Sequence, residues 1–135
     1  MAQDTTRISV RSGAPWEPLV GYSRAVRFGN FVAVSGSAAI GPDGKLVGEG
    51  DAYVQAKRCI EVVREALEEA GASLGDVVRT RMFVTDIEQW PDIARAHQEA
   101  FGAIAPATSM VEVTRLIDPA MLVEIEADAV IADTE

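Results

Sequence analysis

The sequence predicts an α+β fold in which a mixed sheet of about six strands carries two helices packed on one face. Three observations lead to this prediction. Six segments are rich in apolar and β-branched residues, and several of them alternate apolar with polar positions. Two further segments repeat apolar residues at helical spacing. The elements follow in the order strands, helix, strand, helix, strand, strand, and right-handed crossovers then place both helices on the same side of the sheet.

The first three predicted strands cover residues 6–10, 24–28 and 31–35. Gly29 and Asn30 separate the second strand from the third, and a two-residue connection of this composition is typical of a β-hairpin. The segment Gly-Pro-Asp-Gly-Lys at 41–45 then interrupts the apolar pattern and is typical of a loop. The N-terminal part of the chain is therefore predicted to form the first half of the sheet.

Two segments carry the periodicity of amphipathic helices. The first covers about residues 51–70, with Asp51 placed to cap its start and Gly71 placed to end it. Its apolar stripe consists of Ala56, Ile60, Val63, Leu67 and Ala70. The second covers about residues 88–102, where Pro91 is tolerated in the first turn. Its apolar face consists of Trp90, Ile93, Ala94, His97 and Phe101. Each helix therefore has one side to bury against the sheet.

The last three strands are predicted at residues 76–86, 108–113 and 121–131. In the final strand, apolar residues alternate with Glu124, Glu126 and Asp128, so one face is core and the other is a row of carboxylates. Because both helices are predicted on one side of the sheet, the side with the carboxylates stays uncovered. By the same alternation we expect that side to hold Met110, Glu112 and Leu122 as well. Such a mixed surface is suited to self-association.

Composition restricts the class of protein. The chain has 135 residues, 48% of them hydrophobic, so we expect one compact domain over residues 1–135, with residues 1–5 and 132–135 flexible. We find no apolar run long enough for a membrane span and no apolar centre of a secretory signal near the start, so we expect a cytoplasmic protein without a membrane partner. A net charge of −9 disfavours nucleic acid as a partner. One cysteine and one histidine disfavour a structural zinc site or a Cys-His nucleophile.

Four stretches together resemble the RidA/YjgF family of small enamine and imine deaminases. They are AVRFGNFVAVSGSAAIGPDGK at 25–45, DVVRTRMFVTDI at 76–87, PATSMVEVTRL at 106–116 and VEIEADAV at 123–130. The resemblance implies a chorismate-mutase-like α+β fold and a homotrimer with small-molecule clefts between neighbouring subunits. The chemistry that it implies is hydrolysis of a 2-aminoacrylate or 2-imino acid to a 2-keto acid and ammonia, without a cofactor or metal.

The resemblance also implies site residues, which we carry over position by position. The water-directing acid is Glu124, and the residues that contact or enclose the ligand are Tyr22, Ser35, Gly36, Thr108 and Met110. Thr108 stands where deaminating members carry an arginine that clamps the substrate carboxylate. A neutral hydroxyl cannot replace a forked cation, and the loss costs about 2 to 5 kcal/mol of binding or transition-state stabilisation. The chain therefore resembles an arginine-lacking branch of the family.

Several alternatives stay open at the level of sequence. Arg81 shares a strand face with Arg79 and Phe83, so it could supply a relocated clamp in the cleft or pair with neighbouring carboxylates. Three acids at alternate positions should raise one another's pKa or need a cation nearby. We expect His97 to be a hydrogen-bonded core or boundary residue, not a catalyst.

Two classes of function remain in view. The first is an enzyme that hydrolyses a small enamine or imine, and the second is a metabolite-binding or sensor protein whose altered cleft recognises its ligand without converting it. Some members of the family have been described as ribonucleases, translation inhibitors or chaperone-like proteins. Because the chain is acidic and RNA is negatively charged, RNA cleavage is the least supported of these functions.

Overall fold

The computed structural model describes residues 6–132, so the ends predicted to be flexible lie outside the described residues, apart from Ala132. Six strands form one mixed sheet, and they are β1 (Arg7–Val10), β2 (Ala25–Phe28), β3 (Phe31–Ser37), β4 (Val77–Val84), β5 (Ala107–Glu112) and β6 (Val123–Val130). Their order across the sheet is β1-β2-β3-β6-β4-β5. The pair β4–β5 is parallel, and the other neighbouring pairs are antiparallel. The predicted fold class is confirmed.

Within the described residues three α-helices accompany the sheet, one more than predicted: α1 (Trp16–Val20), α2 (Ala52–Glu69) and α3 (Trp90–Phe101). Two single-turn 3-10 helices, Leu74–Asp76 and Ile87–Gln89, precede β4 and α3. Helix α1 was missed because it has only five residues, of which Pro18 is one, and so shows no apolar repeat. Helix α2 begins as predicted, since the Asp51 carboxylate accepts a hydrogen bond from the Val54 amide at 3.1 Å. Gly71 follows its end with a φ of 89°, a conformation that favours glycine.

Helix α3 buries Ile93, Ala96 and Phe101, as an amphipathic helix should. Trp90, at its first residue, is 55% exposed. The predicted apolar face is therefore wrong at this position, because the buried stripe runs along the later turns of the helix. Among the described residues, no helix is both long and apolar enough to cross a membrane.

The hairpin predicted around Gly29 and Asn30 is present, and Phe28 pairs with Phe31 across it. Gly29 has a φ of 64°. A positive φ at the first of two turn residues is the conformation of a type II′ turn, which explains why glycine comes first here.

The two long helices pack on one face of the sheet and form the core with it. The opposite face, which we call the open face, carries the alternate residues of the central strands: Ala33, Ser35, Arg79, Arg81, Phe83, Glu124, Glu126 and Asp128. The predicted division of β6 into a core side and a carboxylate side is thus confirmed, since its residues alternate between buried and half-buried from Val123 to Asp128.

Three residues that we expected on the open face lie elsewhere. In the parallel pair β4–β5, Met110 is in register with buried Met82, and Glu112 with buried Val84. Both side chains therefore belong to the helix side of the sheet, where Met110 packs against the core. Leu122 precedes β6 and also packs against the core. The expectation was wrong because alternation along one strand does not give the register of its neighbour.

Candidate functional site

Glu124 is held at a place where β3 departs from regular pairing. Val34 pairs with Ala127 and Ser37 with Ile125, so three steps along β3 match two along β6, which is the geometry of a β-bulge. The bulge turns Gly36 towards β6. The Glu124 carboxylate lies against the Cα of Gly36 so closely that any side chain at position 36 would overlap it. Glycine is thus required here for a close approach and not for an unusual φ.

The residues before β2 complete this part of the molecule. The Ser35 amide donates to the Arg24 carbonyl at 3.0 Å, and the Ser35 hydroxyl donates to the Ser23 carbonyl at 2.7 Å. The Arg24 guanidinium donates from Nη2 to the Gly36 carbonyl. Its central carbon lies 5.6 Å from the centroid of the Tyr22 ring. Within one copy of the chain, the fold therefore places residues 22–24 beside the β3 bulge. This bulge contains Gly36, the residue that the Glu124 carboxylate contacts.

Arg24 is the residue of this site that the sequence analysis missed. It is only 9% exposed, although arginine is seldom buried without partners. The signal available in the sequence was an arginine two residues after Tyr22 and directly before an apolar strand. That signal does not distinguish a buried arginine from one at the surface, because the burial arises from the bulge at Ser35 and Gly36.

The environment of Glu124 raises the pKa of its carboxyl. Burial raises the pKa of the Glu124 carboxyl, the nearby Arg24 charge lowers that pKa, and the Glu126 charge raises it. The predicted effect of neighbouring acids is present, but burial is the largest cause. A carboxyl with a raised pKa can both accept a proton from water and return it.

Arg81 forms ion pairs with the other two acids of β6. Its Nη1 lies 3.2 Å from Glu126 Oε1 and 3.2 Å from Asp128 Oδ2. Arg81 stands opposite Glu126 in the pairing of β4 with β6, and this register explains the contact. Of the two alternatives for Arg81, the structure shows pairing with carboxylates of the same chain.

The fold does not bring Thr108 together with Glu124 in one copy of the chain. Strand β5 is at the edge of the sheet, two strands away from β6, and Thr108 is in register with Thr80 on the helix side. The Thr108 and Thr80 hydroxyl oxygens are 2.6 Å apart, and Thr80 Oγ1 is 2.8 Å from His97 Nε2. His97 is half-buried and hydrogen-bonded, as expected, and burial lowers the pKa of its imidazole.

A depression on the open face adjoins the Glu124 region. It has a volume of about 760 Å³ and lies between α1 and the strands β1, β2, β3 and β6. Tyr22, Ser35, Glu126 and Asp128 are among the residues that line it. Over residues 6–132 we find no group of three or more histidine, cysteine, aspartate or glutamate side chains arranged to hold a metal ion.

Comparison with known proteins identifies the family. Residues 13–131 match the family model described as Endoribonuclease L-PSP. The chain belongs to the RidA/YjgF family. An uncharacterized protein of Streptomyces coelicolor is 38% identical over 120 residues, which cover 89% of each chain. The 2-iminobutanoate/2-iminopropanoate deaminase of Salmonella typhimurium is 36% identical over 112 residues, which cover 81% of this chain and 86% of the deaminase.

Solved structures of RidA/YjgF proteins have the same fold. A member of the YjgF/YER057c/UK114 family from Mycobacterium tuberculosis superposes with a TM-score of 0.86 at 48% identity, covering 93% of this chain and 100% of that one. TdcF from E. coli with bound serine superposes with a TM-score of 0.76 at 30% identity, covering 82% of this chain and 88% of that one. The sheet and helices described above are thus the chorismate-mutase-like fold of this family.

Proposed function

We propose that this RidA/YjgF family member binds a small enamine or imine at Glu124 and hydrolyses it to a carbonyl compound and ammonia. The observation that carries the proposal is the position of Glu124, a half-buried carboxylate with a raised pKa that lies against Gly36 and near the Arg24 charge. Relatives named as deaminases support the same class of reaction.

The reaction requires one water and one group that carries a proton. Glu124 accepts a proton from the water while the water oxygen forms a bond to the imine carbon and the C=N π electrons move to nitrogen. The carboxylic acid then returns this proton to the nitrogen. Glu124 next carries the remaining hydroxyl proton of this intermediate to the same nitrogen. The electrons of the O–H bond form the C=O bond of the product as the C–N bond breaks and ammonia leaves. A raised pKa suits this cycle because the same group acts first as a base and then as an acid.

We further propose that other copies of the chain cover the open face and form a homotrimer. This face and its rim expose several large apolar side chains by 40 to 52%: Phe28, Phe31, Val111 and Val130. An apolar surface mixed with paired charges is typical of an interface between subunits. Thr108, which is exposed on the edge strand β5, would then lie at the border of this interface and within reach of a neighbouring copy. Ultracentrifugation that finds only a 14.4 kDa particle at micromolar concentration would contradict this assembly.

The activity is tested by generating 2-aminoacrylate or 2-iminopropanoate in the assay and following ammonia release. We expect Glu124→Gln to reduce the rate by about 10² to 10⁴-fold, the usual contribution of a general base. Glu65→Gln is the matched control, because Glu65 is an exposed helix acid paired with Arg58. Ammonia release that survives Glu124→Gln would rule out the proposed role of this carboxylate.

A metabolite-binding protein without turnover is the second candidate, and Thr108 favours it because the position has no positive charge. Saturable binding of pyruvate without ammonia release from either substrate would support it. Thr108→Arg separates the two candidates further. If the missing cation alone prevents turnover, this substitution at an exposed edge residue should raise ammonia release by about thirtyfold or more.

A further inference from the structure

We propose that Arg24 binds the anionic group of the ligand at the Glu124 site and so takes the part that an arginine at the Thr108 position plays in the deaminating relatives. The inference rests on the proposed function, since it names the class of ligand for the same site. That class is a small carboxylate-bearing enamine, imine or keto acid.

The burial of Arg24 is the first argument. Arg24 is 9% exposed, and no carboxylate among residues 6–132 forms an ion pair with it. Its Nε is buried and lacks a hydrogen-bond partner within that part of the chain. A buried cation without an ion-pair contact is unfavourable, and an unpaired buried N–H adds to the cost. The site is therefore incomplete without an anion.

The remaining donors of Arg24 are the second argument. Nη2 is directed at the Gly36 carbonyl, which fixes the plane of the guanidinium. Nη1 has no hydrogen-bond partner among the described residues, and it is not one of the buried unpaired atoms. The Tyr22 ring, at 5.6 Å, supports the guanidinium from one side. A fixed guanidinium with free donors is suited to a planar carboxylate, which accepts two hydrogen bonds from one arginine.

The position relative to Glu124 is the third argument. Arg24 and Glu124 both meet Gly36, one at its carbonyl and the other at its Cα. The Arg24 charge is close enough to lower the pKa of Glu124, although the two side chains form no ion pair. A carboxylate held by Arg24 would therefore place the adjacent C=N carbon near the carboxylate that directs water.

The other candidate cation is occupied. Arg81 already contacts Glu126 and Asp128, each at 3.2 Å. If Arg81 bound the ligand carboxylate instead, Glu126 and Asp128 would lose the cation that they contact. Arg24 needs no such exchange, and this difference favours Arg24 over Arg81.

The test measures binding of pyruvate and of its neutral amide, pyruvamide, by calorimetry. We expect the unaltered chain to bind pyruvate about thirtyfold or more tightly than pyruvamide, the ratio expected of a charge-assisted pair in a cleft. Arg24→Gln should remove this preference and leave pyruvamide binding unchanged. Arg24→Lys, which keeps the charge but loses the fork, should keep part of the preference and guards against a folding defect in Arg24→Gln.

Arg27→Gln is the matched control. Arg27 lies within β2, which begins directly after Arg24, and it also donates to backbone carbonyls, at 2.8 Å to Gly29 and 2.9 Å to Ala70. Its substitution should lower the melting temperature and leave the preference for pyruvate intact. A preference that persists in Arg24→Gln, or that is absent from the unaltered chain, would overturn the role of Arg24.

The two proposals fail in different ways. Loss of ammonia release in Glu124→Gln together with an undiminished preference in Arg24→Gln would overturn the Arg24 proposal alone. A preference that depends on Arg24, with ammonia release indifferent to Glu124→Gln, would overturn the hydrolytic function alone. Absence of saturable binding of both probes would overturn the Arg24 proposal, and absence of ammonia release from the unaltered chain would overturn the hydrolytic function.

Discussion

The Glu124 carboxylate and Gly36 are in contact across two neighbouring strands, and the contact leaves no room for a Cβ at position 36. The strand bulge between Val34 and Ser37 creates this contact by adding one residue to β3. The glycine therefore determines where the carboxylate lies.

Gly36→Ala should move Glu124 without unfolding the chain. The atoms that a new Cβ would meet are the end of a flexible side chain, and Gly36 does not have a positive φ. We expect the free energy of unfolding to change by less than about 1 kcal/mol. Ammonia release should fall by about a hundredfold, the usual effect of misplacing a catalytic group by 1 Å. Urea unfolding and the rate assay check the two effects separately.

Gly75→Ala provides the control for this prediction. A Cβ at position 75 would lie an ordinary 3.6 Å from Ser73 Oγ. Both stability and rate should stay near those of the unaltered chain. Full activity in Gly36→Ala would mean that the carboxylate position is not set by the glycine.

Glu124→Gln should stabilise the chain at neutral pH and have little effect in acid. Burial raises the pKa of Glu124, so the folded state holds a proton that the unfolded state has already released. The stabilisation from this group is complete below its unfolded pKa, about 4.3, and is lost as the pH rises through the folded pKa. Glutamine removes this loss. Melting temperatures of both proteins from pH 4 to pH 8 should diverge as the pH rises.

The same shift affects the rate. Because the base form must be present at the start of the reaction, the acid limb of the pH–rate profile should lie above the ordinary pKa of a glutamate. Glu65→Gln, in the exposed helix pair, should leave both profiles unchanged. Parallel melting curves for Glu124→Gln and the unaltered chain would contradict the shift.

The structural features that depend on residues close together in the chain could be predicted from the sequence. The alternation from Val123 to Asp128 gave the correct faces of β6, because a strand has a strict period of two residues. Asp51 was correctly placed as the cap of α2, because capping involves residues three apart in sequence. These features follow from neighbours along the chain.

Features that depend on packing between distant segments were not predictable in the same way. The register between β4 and β5 places Met110 on the helix side of the sheet, opposite to the expectation. The two strands are connected through α3, so their register does not follow from residues that are neighbours in the sequence. The burial of Arg24 depends on the bulge at Gly36, twelve residues later. No pattern within either segment encodes such a contact, so the resemblance to a family could supply Glu124 but not Arg24.

We expect Arg81→Gln to destabilise the chain, because Glu126 and Asp128 then lose the cation that they contact. Arg81 contacts Glu126 and Asp128 but is 40% exposed, so each pair contributes about 0.2 to 1 kcal/mol. Repulsion between the two carboxylates adds to the loss. We expect a decrease of about 1 to 2 kcal/mol in the free energy of unfolding at low salt, and a smaller one in 0.5 M salt.

Arg64→Gln is the comparison for Arg81. Arg64 also contacts two acids, Glu61 at 2.6 Å and Glu68 at 3.0 Å, but on the exposed side of a helix. Its loss should cost less, because solvent screens ion pairs on the exposed side of a helix. Equal costs for the two substitutions would show that the acids of β6 do not repel one another appreciably.

Thr80→Val should reveal how much the hydrogen bonds beneath β5 contribute to stability. Thr80 is fully buried, and its hydroxyl bonds Thr108 and His97. Valine keeps the shape but leaves the half-buried His97 Nε2 without a partner. We expect the free energy of unfolding, measured in urea at about pH 7.5, to fall by about 1 to 3 kcal/mol. At this pH His97 is neutral because burial lowers its pKa.

Thr108→Val is the control, because water can replace its exposed hydroxyl as a partner, and it should cost less than about 0.5 kcal/mol. Equal losses would instead place the stabilisation in the outer bond between the two threonines.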